Sequence, residues 1–149
     1  MFKNILIPTD GSELSRKAIE AAIRFAADVG AKVTGVNVLD MTQGALMSEA
    51  VSHEAIRRFQ EHNLATRQAA RDRLQEIEQA AAAADVPCAT YAEEQTSSVC
   101  DAILATARKA GCDIIFMASH GHRGLTALFV GSVTQKVLSH SKIPVLVFR

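Results

Sequence analysis

Apolar and polar positions along this 149-residue chain alternate between short continuous runs and spacings of three and four. Ile5-Leu6-Ile7-Pro8 is an apolar run stopped by Pro8 and by the turn and cap residues Thr9-Asp10-Gly11-Ser12, which predicts a buried strand feeding a helix. Leu14, Ala18, Ala21, Ala22, Phe25 and Ala26 keep helical spacing, and Gly30 ends that helix. Lys32 to Leu39 is valine-rich and apolar on both faces, as a strand covered on both sides must be. From Ile56 the series Phe59, Thr66, Ala70, Leu74, Ile77, Ala81, Ala84 marks one long helix with Arg, Glu and Gln on its other face. Val86 to Tyr91 predicts a strand with Pro87 near its start, and Val99, Ile103, Leu104 and Ala107 a helix stopped by Gly111. Ile114 to Met117 is a continuous apolar strand, Ser132 to His140 a last helix, and Pro144 to Phe148 a terminal strand. Five strands alternating with four helices predict an α/β three-layer sandwich around a parallel sheet.

Composition narrows the classes. Hydrophobic residues make 48% and charged residues 21%, which excludes disorder and disulfide scaffolds. The length suits one domain spanning residues 1–149. Lys and Arg (16) balance Asp and Glu (16), and six Phe, one Tyr and no Trp leave little to stack bases on, so no nucleic-acid partner is expected. No apolar run approaches the ~18 residues of a membrane span. Three cysteines, Cys88, Cys100 and Cys112, are odd in number and set among apolar residues, which points to the reducing cytoplasm and to buried structural thiols.

Ligands of parallel α/β sheets bind beyond the carboxyl ends of the strands. Two such loops stand out: Pro8 to Ser12 after the first strand, and Ala118-Ser119-His120-Gly121-His122-Arg123-Gly124, running on to Gly131-Ser132, after the fourth. Gly121, Gly124 and Gly131-Ser132 would let backbone N–H groups approach phosphate at a helix N-terminus. The competing readings are local. Ser132 with Gln135 also spells an S-x-x-Q capping box, and Asp10 with Glu13 a D-x-x-E cap. There is no GxxxxGK[ST] and no GxGxxG after the first strand. His120 and His122 lack a third ligand at recognisable spacing, so no metal site is expected.

Pro8 to Ser12, Asn37-Val38-Leu39-Asp40 at the end of the second strand, and Met117-Ala118-Ser119-His120-Gly121 through Gly131-Ser132 together resemble the universal stress protein family. The nucleotide-binding branch carries G-x-x-G, nine residues, then G-[ST]; here nine residues, His122 to Val130, separate Gly121 from Gly131-Ser132. Ala118 replaces the first glycine, a change a backbone with φ below zero accommodates. The resemblance implies strand order 3-2-1-4-5 and a crevice between the first and fourth loops. It also implies ATP, with or without Mg, as ligand, touching Pro8, Thr9, Asp10, Val38, Met117, Ala118, His120, Gly121, Arg123, Gly124, Gly131, Ser132, Val133 and Thr134. Asp10 would bind ribose or adenine, Val38 would pack on adenine, and Gly121, Gly131 and Ser132 would hold phosphate. A homodimer through the terminal strand is implied as well.

The function classes are therefore a cytoplasmic, dimeric nucleotide-binding stress-response module with an unnamed protein partner, a dimer that binds no nucleotide, and a slow ATPase. Asp10 is the one acidic residue in the two loops near the glycines, which is thin for efficient phosphoryl transfer. The connection from Met41 to His53, whose Met and Leu residues have no evident helix face to join, is expected either to order over the nucleotide or to be a permanently packed loop.

Overall fold

The computed structural model describes residues 1–39, 52–95, 97–121 and 130–149. Its elements are β1 (Asn4–Pro8), α1 (Glu13–Val29), β2 (Lys32–Leu39), α2 (His53–Ala83), β3 (Cys88–Glu94), α3 (Val99–Ala110), β4 (Ile114–Ala118), α4 (Ser132–His140) and β5 (Val145–Phe148). The sheet is wholly parallel with order β3-β2-β1-β4-β5. This is the expected order, and it places the β1 and β4 loops side by side.

Strand alternation sends successive side chains to opposite faces. Ile5, Ile7, Val33, Ile114 and Phe116 meet α1 and α2 on one face; Leu6, Val36, Ile115 and Met117 meet α3 and α4 on the other. Phe2, Phe25, Phe116 and Phe148 form a continuous aromatic row across the first face, with successive ring centroids 6.3, 6.3 and 6.5 Å apart. That spacing is favourable for tilted and offset rings, and it ties β5 to the core.

Serine caps open α1 (Ser12), α2 (Ser52) and α3 (Ser98), each accepting from the backbone N–H three residues on, with an acid in each first turn. Asp10 is therefore not the cap of α1, as D-x-x-E spacing suggested: its side chain turns back to the N–H of Ser12. Helix α2 starts at His53 rather than Ile56, and its buried face is confined to Ala70, Leu74, Ile77 and Ala81. Ile56 is exposed and Phe59 and Thr66 are only half-buried, because 31 helical residues rise about 46 Å while an eight-residue strand spans about 26 Å. The third strand begins two residues later than expected, since Asp85 and Val86 donate back to Ala82 and Ala81 and close the end of α2. It then continues to Glu94 by pairing with β2 from Val33 to Leu39. Cys88 is exposed, unlike buried Cys100 and Cys112. Although Cys88 as a residue is exposed, its thiol is partly desolvated, and that desolvation together with the Glu78 charge pushes it up to about 11; burial also raises Cys112 and Cys100. No helix among the described residues is long and apolar enough to cross a membrane.

Candidate functional site

The loop after β1 is fixed by saturating one residue. Buried Thr9 donates its N–H to the Val36 carbonyl (2.9 Å), and its own carbonyl accepts from Asn37 Nδ2 (2.7 Å). Its Oγ1 accepts from the Gly11 N–H (3.2 Å) and from the Ser15 hydroxyl (2.9 Å). Gly11 follows at φ +79°, where an L side chain is strained, so the chain reverses sharply and Ser12 opens α1. Between these fixed points lies half-buried Asp10, whose Oδ1 accepts from the Ser12 N–H at 3.0 Å. Its charge also reaches Arg16, although the Arg16 guanidinium is held mainly by Glu76 at 2.9 Å.

The loop after β4 meets this turn directly. A Cβ placed on Gly121 would overlap Oδ2 of Asp10, so glycine is what permits the two loops to touch. Ser119 donates its N–H to the Phe148 carbonyl (2.7 Å) and accepts from the Gly131 N–H (2.7 Å), which brings both ends of the loop together beneath α4. Ser119 Oγ and His120 Nδ1 lie 3.0 Å apart. Ala118 is the last residue of β4 and is not among the residues with positive φ, so the condition for alanine there is met; its methyl packs on the α1 and α2 side of the core.

The start of α4 differs from the other three helices. Gly131 occupies the N-cap with no side-chain hydrogen bond, Ser132 is the first helical residue, and no acid stands in the first turn. The S-x-x-Q capping box is therefore not formed, and Gln135 instead donates its backbone N–H to the Gly131 carbonyl (2.9 Å). A helix start without a side-chain cap or an acid keeps its partial positive charge for an anion.

The remaining expected residues divide by role. Pro8 is half-buried at the end of β1. Val38 and Val133 pack against the α3 and α4 side of the core, where Met117 is buried. Thr134 is buried and donates its hydroxyl to the Ala118 carbonyl (3.0 Å), a strut between α4 and β4. Arg123 and Gly124, and the Met41–Val51 part of the expected lid, lie outside the described residues. Two residues were missed. Asn37, with Thr34 one of two buried polar residues in β2, carried a readable signal; Arg73, whose side chain lies against Gly11, carried none beyond its place on a charged helix. Among the described residues no group of three or more His, Cys, Asp or Glu gathers to hold a metal.

Comparison with known proteins agrees with this architecture. The model of the universal stress protein family matches residues 1–149. Universal stress protein YxiE of Bacillus subtilis is 30% identical over 155 residues, covering 100% of both chains. The solved structure of MJ0577, a universal stress protein of Methanocaldococcus jannaschii, superposes with a TM-score of 0.81 at 26% identity, covering 99% of this chain and 96% of that one. A universal stress protein of Archaeoglobus fulgidus, solved in complex with dAMP, has the same fold (TM-score 0.68, 16% identity, 99% and 98% covered). From its first residue to its last, this chain belongs to the universal stress protein family.

Proposed function

We propose that this protein binds an adenine nucleotide, ATP before others, in the crevice between the loops after β1 and β4. The observation that carries this reading is the start of α4. Three helices satisfy their first N–H groups with a serine hydroxyl and place an acid beside them, whereas α4 offers glycine, no side-chain cap and no acid. Free N–H groups and the helix dipole favour phosphate, and a glycine N-cap lets the phosphate approach the backbone. Asp10, whose Oδ1 accepts from the Ser12 N–H at the opposite wall, supplies an acceptor for the hydroxyl or amino groups of the nucleoside. The dAMP complex of the Archaeoglobus fulgidus relative supports the ligand class.

Mg enters this reading on the nucleotide phosphates, with Asp10 as the nearest carboxylate of the two loops. Asp10 turns toward Ser12 and Gly121 rather than toward a second acid, so the residues present hold a nucleotide better than they activate water. Slow hydrolysis, or none, follows. His120 and Arg123 are the candidate phosphate contacts of the loop itself.

The working unit in this reading is a cytoplasmic homodimer paired through β5 that responds to nucleotide occupancy and passes it to a protein partner. Val145 to Phe148 are half-buried apolar residues at a sheet edge. The opposite edge strand, β3, carries Glu93 and Glu94, which pair with Lys109 and Arg67. Charge blunts one edge and leaves the other to be covered. Calorimetric titration with ATP, with and without Mg, tests the binding: a saturable heat is expected, and no heat at millimolar ATP leaves a dimer that binds no nucleotide.

A further inference from the structure

Two polar side chains support the loop that bears Asp10, Asn37 from β2 and Arg73 from α2. Asn37 is 3% exposed, and its Nδ2 donates to the Thr9 carbonyl, yet its Oδ1 is the one buried side-chain polar atom without a partner among the described residues. Arg73 on α2 is half-buried and makes no hydrogen bond or ion pair among the described residues, while Glu76, three residues on, is taken by Arg16. The Arg73 side chain lies along Gly11: its Nε, Cδ and Cγ are 2.6, 3.0 and 3.0 Å from where a Gly11 Cβ would stand.

Helix geometry places the two groups at one level. Ile77 packs over Gly35, with Cδ1 2.8 Å from the position of its missing Cβ. Helix α2 runs antiparallel to β2, so four residues back, about 6 Å, match two strand residues forward, about 6.6 Å. Arg73 therefore sits above Asn37 as Ile77 sits above Gly35.

We propose that Asn37 and Arg73 form a latch that fixes the turn bearing Asp10, with an Arg73 N–H supplying, through a bridging water, the donor that Asn37 Oδ1 lacks. Asn37 then grips Thr9 from β2 while Arg73 presses on Gly11 from α2, and Asp10 is held between them. Both are positioning residues. Burying an amide oxygen without a donor is costly, and a half-buried guanidinium without a carboxylate has donors to give. The consequence for ligand affinity rests on the nucleotide reading above; the latch itself does not.

Hydrogen exchange of the Gly11 and Ser12 amides, both hydrogen-bonded within the turn, reads the latch without nucleotide. Arg73→Met keeps the stem on Gly11 and removes the donors, so these amides should exchange about tenfold faster, the scale of one buried hydrogen bond, while core amides of β4 keep their protection. Arg73→Lys, which restores a donor, should protect them as wild type does. In an Asn37→Ala background, Arg73→Met should add nothing. Wild-type protection in Arg73→Met would reduce Arg73 to packing and overturn the latch, as would equal loss in the Met and Lys variants. If Asn37→Ala does not fold, the Met and Lys comparison decides alone. ATP titration of the same variants is a separate reading, so a protein that binds no nucleotide can still show the latch.

Discussion

Gly121 lies against the carboxylate of Asp10, so close that a methyl group on Gly121 would take the place of Oδ2. The loops after β1 and β4 thus meet at this point, and glycine there is what lets them approach. Gly121→Val should abolish ATP binding by forcing the Asp10 carboxylate aside. Asp10→Ala should weaken it by about 1–3 kcal/mol, the scale of a lost hydrogen bond to a partly buried or charged partner. Calorimetry checks both. Wild-type affinity in Gly121→Val would place the ligand elsewhere.

Turnover should be slow. The β1 and β4 loops together carry a single acid, Asp10, and its Oδ1 is engaged by the Ser12 N–H. Phosphate release well below the usual enzyme range of about 1–10³ per second is expected, and release within that range would require a base this site does not display.

The free edge of β5 has a definite hydrogen-bonding register. Ile115 and Ser119 donate to the carbonyls of Pro144 and Phe148, so the even-numbered residues of β5 face β4 and Val145 and Val147 face outward. Val147→Pro removes an outward N–H and spares the ladder to β4. Sedimentation should show wild type at dimer mass and this variant shifted toward monomer with its fold retained; monomeric wild type at tens of micromolar would remove the dimer.

Asp101 gives the start of α3 an acid-sensitive clamp. Its carboxylate accepts from the Ser98 and Ser97 hydroxyls at 2.7 and 2.9 Å, and these bonds hold its pKa below the ordinary value of 3.8. The folded pKa lies below the unfolded one, so the contribution is present above 3.8 and is lost as pH falls through the folded value. Asp101→Asn should lower the urea midpoint at pH 7 and narrow its distance from wild type in strong acid. An unchanged distance across that range would show that the carboxylate charge is irrelevant to the clamp.

Element type and order were legible in the chain because buried parallel strands must be apolar on both faces and helices must keep one apolar stripe. The ends were less so. Ser132 and Asp10 both satisfy capping spacing, yet Gly131 and Ser12 take those positions, since backbone contacts between Ser119 and Gly131 and between Thr9 and Val36 fix where each loop ends. Spacing along the chain does not contain those cross-loop bonds. Asn37 likewise stood out as a polar residue in a buried strand, but its partner, the Thr9 carbonyl 28 positions away, was not readable.

In the proposed complex the uncapped first turn of α4 receives the phosphate, opposite Asp10. Amide chemical-shift mapping during an ATP titration reads that turn directly. The expected result is saturable shifts concentrated at Asp10 to Ser12, Gly121 and Gly131 to Thr134, with the capped first turns of α2 and α3 unmoved. Saturable shifts centred elsewhere, or no shift in the α4 turn at millimolar ATP, would rule out phosphate binding at this turn.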